Sequence, residues 1–275
     1  MADVILGTQG WVHPSWVGSF YPAGTQPGDM LSHYSRLFDT VEIESTFYEM
    51  PGDPLVRDWR DAVPDGFVFS ARVPNRITHE LRLVDVSRVL GKFLRRMELL
   101  GDKLGPLVLQ LPPNLPVNET NWARLQNFVL SLPEDFKWVV EFRNESWFTE
   151  EVLQILSHRN VALALVDGQW IRPVLVADAA KRPTADFLYV RWLGLGEPLL
   201  DHSHVQTERA QDISRWAGIL WPMVSHVCKL YGYFSNNFEG HAPHSVRVFQ
   251  RMMGLRPVDP QTMNLVSGGR ELSQV

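Results

Sequence analysis

Thr40-Val41-Glu42-Ile43-Glu44 alternates apolar side chains with carboxylates. A strand sends successive side chains to opposite faces, so Val41 and Ile43 share one face and Glu42 and Glu44 the other. Seven further short apolar or β-branched runs accompany it: Val4–Gly7, Phe67–Arg72, Leu107–Leu111, Lys137–Phe142, Val161–Asp167, Phe187–Trp192 and Lys229–Phe234. Helical patterns lie between them, at Asp29–Phe38, Asp53–Val63, Val84–Leu100, Asn118–Leu132, Thr149–Arg159, Gln206–Leu220 and His241–Gly254. Asp53 reads as a cap with Pro54 in the first turn. The sixth crossover, Gln169–Ala185, has the weakest helical pattern and reads mostly as loop. Strands separated by helices must pair in parallel. Eight β/α repeats favour a closed TIM-type (β/α)8 barrel over an open doubly wound sheet. No glycine-rich dinucleotide or phosphate-loop fingerprint supports the open sheet.

The length, 275 residues, suits one such barrel of roughly 250 residues. We expect one domain over residues 1–254 and a loosely packed tail over 255–275, where Pro257, Pro260, Gly268 and Gly269 break any periodic pattern. The formal net charge of −5 gives no global attraction to nucleic acid or anionic membranes. No apolar run approaches the roughly 20 residues that span a bilayer, and no secretory leader is evident at Met1–Gly7. These features predict a soluble, cytoplasmic protein. Cys228, the sole cysteine, lies in an apolar run and reads as a core residue. Ten tryptophans, many beside Gly, Pro, Asn or Ser, can be packing lids or stacking platforms.

The same alternation assigns inward residues on the other strands. Strand three offers Ser70 and Arg72, strand four Gln110, strand five Glu141 and Arg143, strand six Asp167, strand seven Arg191, and strand eight leads to Asn236 and Asn237. Polar groups thus gather near the C-terminal strand ends, the face that carries TIM-barrel sites. A closed ion-pair network is the structural alternative for each residue, since unpaired buried charge is costly. Gln110-Leu111-Pro112-Pro113 reads as a strand stopped by prolines. Leu195–His204 reads as a long loop, either a lid or disordered.

A set of ordered motifs carries a family resemblance. They are Gly7-Thr8-Gln9-Gly10-Trp11, Trp16-Val17-Gly18-Ser19-Phe20-Tyr21-Pro22, Val41-Glu42-Ile43-Glu44-Ser45-Thr46-Phe47-Tyr48, Ile77-Thr78-His79 and Leu104-Gly105-Pro106. Gln110-Leu111-Pro112-Pro113, Glu141-Phe142-Arg143-Asn144-Glu145-Ser146-Trp147, Tyr233-Phe234-Ser235-Asn236-Asn237 and Gly240-His241-Ala242 complete it. Over about residues 4 to 254 the chain resembles the DUF72, or YecE-like, family. The resemblance implies a TIM-like barrel and supplies no activity. Glu44 stands where the family usually has Asn, Arg72 where it often has Lys, and Leu193 where a histidine is common before the glycine.

Three chemistries fit these residues. In the first, Glu42 and Glu141 act as paired carboxylates in a hydrolase, a glycosidase being one case. Arg72, Arg143 and Arg191 then hold an anionic group, with Trp11, Tyr48, Trp147 and Tyr233 as stacking walls. Gln110, Asp167, His79, Asn236 and Asn237 complete the expected ligand contacts. No cofactor is required. In the second, Glu42, Glu44, Glu141, Asp167 and His79 ligate a divalent metal. In the third, the barrel binds a small molecule or nucleotide without turnover, nucleic acid being disfavoured by the charge.

Overall fold

The structure, a computed structural model, describes residues 3–196 and 198–258. Its strands are β1 (Asp3–Gln9), β2 (Thr40–Ile43), β3 (Val68–Arg72), β4 (Leu104–Gln110), β5 (Trp138–Glu141), β6 (Ala162–Gly168), β7 (Phe187–Gly194) and β8 (Lys229–Phe234). They pair in parallel in sequence order, and β8 closes on β1. The expected (β/α)8 barrel is therefore the fold. Of the expected tail, residues 259–275 lie outside the described residues. No helix among the described residues is long and apolar enough to cross a membrane.

Nine helices are present among the described residues: α1 (Met30–Tyr34), α2 (Ser45–Tyr48), α3 (Asp53–Asp61), α4 (Ser87–Met97), α5 (Glu119–Ser131), α6 (Glu150–His158), α7 (Pro173–Ala180), α8 (Ala210–Leu220) and α9 (Ala242–Met252). Asn118 and Thr149 cap α5 and α6 by accepting from the backbone N–H three residues on. Gly52, not Asp53, occupies the cap position of α3. Helix α4 begins later than its apolar stripe because Arg82, Leu83 and Asp85 hold positive φ angles, which a right-handed helix forbids. The sixth crossover contains a real helix, α7, rather than mostly loop. Pro173 in its first turn fixes a helical φ, and alanines extend it.

The barrel interior follows the two-residue alternation. Ile5, Val68, Val108, Val139, Ala162, Ala164, Val166, Phe187, Tyr189, Tyr231 and Tyr233 pack against one another inside. The intervening strand residues, such as Val41, Ile43, Phe69 and Leu109, join the larger core between sheet and helices. Cys228 is exposed, which corrects its assignment to the core. It precedes the first residue of β8, and its backbone pairs with Asp186 and Asp3 at the rim while its side chain stays outside.

Tight closure between β1 and β2 depends on Gly7. A Cβ there would stand 2.0 Å from the Thr40 carbonyl oxygen and 2.9 Å from the Tyr34 hydroxyl. Gly7→Ala should destabilise the barrel by roughly 2–3 kcal/mol, the upper part of the range for overpacking. A urea titration within 0.5 kcal/mol of the unaltered chain, itself about the spread of neutral surface changes, would contradict this packing.

Candidate active site

Three guanidiniums and two carboxylates converge at the C-terminal strand ends. Glu42 on β2 and Glu141 on β5 have no exposed surface. Arg191 on β7 lies between them: Nη2 donates to Glu42 Oε1 at 2.7 Å, and Nη1 donates to Glu141 Oε2. Tyr189 donates to the second Glu42 oxygen at 2.6 Å, and its hydroxyl also meets Ser70 Oγ at 2.6 Å. Arg143 donates from Nε to Glu141 Oε1 at 2.8 Å. Alternation along β2, β5 and β7 sends these side chains inward, and mutual neutralisation keeps them there.

The electrostatics follow from that packing. Burial alone would raise the Glu141 carboxyl, but Arg191 and Arg143 outweigh it and hold the pKa at about 2. Burial likewise works against the Arg191 charge, yet Glu141 and Glu42 keep its pKa above the ordinary value. Burial, and then the neighbouring Glu42 charge, raises the Tyr189 phenol.

Above this layer is a cavity of about 360 Å³. Its polar lining includes Gln9, Glu44, Arg72, His79, Gln110, Arg143, Gln169, Arg191, Ser235 and Asn237, and its aromatic lining is Phe47, Tyr48 and Trp170. Arg72 and Arg143 both donate to Gln110 Oε1, the latter at 2.9 Å. Arg72 lies 3.7 Å over the Phe47 ring, and Arg143 lies 3.8 Å over Trp170. Leu195, Gly196 and Pro198 supply one wall. The segment after them is tied down by Leu199 N–H donating to Asn237 Oδ1 at 3.1 Å, and by His241 Nδ1 against the His202 carbonyl at 2.8 Å.

The expected site residues divide accordingly. Arg72, Arg143, Arg191, Gln110, Tyr48, His79 and Asn237 line the cavity. Glu42 and Glu141 converge with them but lie in the layer beneath, both held by Arg191. Asp167 faces the opposite side of the sheet, where it accepts from Trp216 Nε1 at 2.6 Å and from Arg209. Trp11 packs edge-on against Trp59 and Phe69. Trp147 stacks on Phe142 and donates to the Leu115 carbonyl. Tyr233 is bonded to Thr40 in the barrel interior. Asn236 accepts from the Ala242 N–H at the start of α9 and from Trp16 Nε1. None of these last five is brought to the cavity wall.

Glu44 is the cavity carboxyl that a reading centred on Glu42 and Glu141 passes over. It sits two residues beyond Glu42, about 6.6 Å along an extended strand, and so reaches the next layer up. Burial, and then Glu42, raises its pKa, opposed by Arg72 and Arg191. Burial, and then Arg143 and Arg72, lowers the pKa of His79. No group of three or more His, Cys, Asp or Glu side chains among the described residues is arranged to hold a metal ion.

Two outcomes test the buried layer. Arg191→Met leaves the buried Glu42 without a cation and Glu141 with Arg143 alone, and should cost about 3–5 kcal/mol, whereas a loss under 1 kcal/mol in denaturant titration, the range of an exposed ion pair, would contradict the geometry. The Glu141 pKa is depressed from 4.5 to about 2 on folding, so its contribution to stability is present above pH 4.5 and lost as pH falls toward 2. Glu141→Gln should flatten that part of the stability–pH curve.

Comparison with known proteins agrees with this architecture. The family model described as "Protein of unknown function DUF72" matches residues 5–265. The UPF0759 protein YecE of Escherichia coli K12 is 31% identical over 179 residues, covering 63% of this chain and 61% of its own. The UPF0759 protein YunF of Bacillus subtilis is 26% identical over 157 residues, covering 53% and 52%. These alignments thus span between half and two thirds of the curated relatives' length. A DUF72 family structure from Thermotoga maritima superposes with a TM-score of 0.77 at 24% identity, over 92% of this chain and 99% of that one. One from Enterococcus faecalis gives 0.74 at 20% identity, over 93% and 97%. At these identities the superpositions establish the shared fold. With its family model matched across nearly the whole sequence, the chain belongs to the DUF72 family.

Proposed function

We propose that the cavity binds a small anionic compound, with Arg72 as its principal counter-charge. The observation that carries this reading is the state of Arg72. The residue is 5% exposed, lines the cavity, and has no carboxylate within ion-pair distance among the described residues. Its hydrogen-bond acceptor is the neutral Gln110 amide, and its other close partner is the Phe47 ring. A buried charge without a paired counter-ion costs several kcal/mol, and stacking on an aromatic face returns about 2 kcal/mol of that. Burial, and then the Arg191 charge, lowers the Arg72 pKa, and Glu42, Glu141 and Glu44, acting from beyond ion-pair distance, do not make up the loss. An anion entering the cavity supplies the missing partner.

Three buried N–H donors at the cavity also have no acceptor: Gln9 Nε2, Arg72 Nε and Arg191 Nε. They are closed to water in this arrangement, so an incoming oxygen meets them as the side chains part. An unmade hydrogen bond of this kind costs about 1–3 kcal/mol, which a ligand oxygen can recover. Glu42 and Glu141 serve in this reading as positioning residues. They fix Arg191 and Arg143, and through the shared Gln110 oxygen they set the orientation of Arg72.

The test is thermal unfolding in inorganic phosphate against chloride at matched ionic strength. At ten times its Kd, an anion that binds the folded state adds about 1.4 kcal/mol, a rise of roughly 2–3 °C for a chain of this size. Arg72→Met removes the unpaired charge, so it should leave the anion-free Tm unchanged or higher and abolish the rise. An unaltered chain indifferent to phosphate, or an Arg72→Met variant that keeps the rise, would count against the reading.

A further inference from the structure

Two proton-exchanging groups flank Arg72 at the cavity surface. Glu44 follows β2, and His79 lies in the π-helical turn Arg76–Glu80 that follows β3. Glu44 is the single carboxyl-bearing residue among the described residues that line the cavity. Among the described residues nothing hydrogen-bonds its carboxyl or pairs with it, and Glu42, Arg72 and Arg191 act on it through space. On its other flank stands His13, whose ring lies beside Gly10 as the Glu44 carboxyl does and whose pKa is lowered to about 4 by burial. His79 is fixed by Thr78 Oγ1 at Nδ1, 2.9 Å away, and by an edge contact with Phe47 at 5.1 Å. Its Nε2 has no partner among the described residues, and the charges that bear on it are Arg143, Arg72 and Glu141. The unpartnered donors Gln9 Nε2, Arg72 Nε and Arg191 Nε belong to β1, β3 and β7. The wall carries three guanidinium residues, Arg72, Arg143 and Arg191, against one carboxyl-bearing residue, Glu44, and a doubly charged phosphate with several acceptor oxygens answers more of that charge than a carboxylate does.

We propose that this cavity hydrolyses a phosphomonoester, with Glu44 as general acid and His79 as general base. The proposal rests on the anion-binding reading above. Water is the co-substrate. His79 Nε2 accepts a proton from the water as its oxygen forms a bond to phosphorus. The bond from phosphorus to the ester oxygen breaks with its electron pair on that oxygen, and Glu44 delivers its proton there. The products are inorganic phosphate and an alcohol, and solvent returns the proton from His79 to Glu44. The guanidiniums stabilise charge on the transferring phosphoryl group. The environment moves each group toward the form its role needs, since burial and Glu42 raise the Glu44 pKa while burial and the arginines lower that of His79. A member of the fold with Asn at position 44 would lack the acid.

The experiment uses the full chain, glycerol 2-phosphate, whose alkoxide leaving group needs a proton, and p-nitrophenyl phosphate, whose phenolate does not. Phosphate affinity is measured in parallel by calorimetry. Glu44→Gln should slow the alkyl ester by about 10²–10⁴, the usual share of a general acid, and the aryl ester far less, with phosphate affinity retained. Glu44→Asn, the residue the family pattern carries there, should show the same split. His79→Asn should slow both esters by about 10² or more. Activity of the unaltered chain should fall at low pH as His79 protonates and at high pH as Glu44 ionises, and Glu44→Gln should erase the basic limb. Phosphate binding without hydrolysis of either ester would overturn the hydrolase and leave the anion site standing. Equal losses on the two esters in Glu44→Gln would overturn the role of Glu44. Absence of phosphate binding would overturn the underlying reading as well.

Discussion

The Arg191 guanidinium, clamped between the Glu42 and Glu141 carboxylates, is the interaction on which the rest of the site depends. It links β2, β5 and β7 across the interior of the barrel, at a depth where none of the three side chains is more than 1% exposed. Each charge there is tolerable because the others are present. The same clamp determines which charges remain for other purposes. Glu141 takes both Arg191 and Arg143, and Glu42 takes Arg191 and the Tyr189 hydroxyl. No deep carboxylate is left for Arg72.

This arrangement divides the polar interior into a structural floor and a reactive surface. The floor satisfies its two carboxylates, which have no path to a ligand without losing Arg191. The surface has an excess of guanidinium, an unpaired carboxyl at Glu44 and a half-buried imidazole at His79. Preorganised charge of this kind acts on a ligand without the reorganisation that water would require. Phe47 and Trp170 back the guanidiniums and fix their planes.

Most of the fold was legible because two periodicities are rigid. Eight apolar runs became eight strands, and alternation placed Glu42, Ser70, Arg72, Gln110, Glu141, Arg143 and Arg191 on the inner side. Alternation failed at β6, where Ala162-Leu163-Ala164-Leu165-Val166-Asp167 carries no polar contrast to set the phase. The usable signal there was size: the small Ala162 and Ala164 face the crowded interior, and Leu163 and Leu165 face the helices with Asp167. Depth was not legible either. Glu42 and Glu44 look equivalent in the sequence, yet one is locked beneath the cavity and the other opens onto it. Tryptophan positions misled for a related reason. Trp11 and Trp147 border loops as stacking residues do, but Trp11 packs edge-on against Trp59 and Phe69 and Trp147 stacks on Phe142. Trp170, in the crossover with the weakest pattern, is the tryptophan that reaches the cavity.

The ion pairs of the floor leave Arg72 without a paired carboxylate and facing an open cavity. A crystal structure of the protein soaked in phosphate tests this directly. An anion should be found bonded to the Arg72 guanidinium, with Glu42 and Glu141 still on Arg191. Glu44 swung across to pair with Arg72, leaving the cavity filled and no anion in it, would show that Arg72 has its counter-ion within the chain.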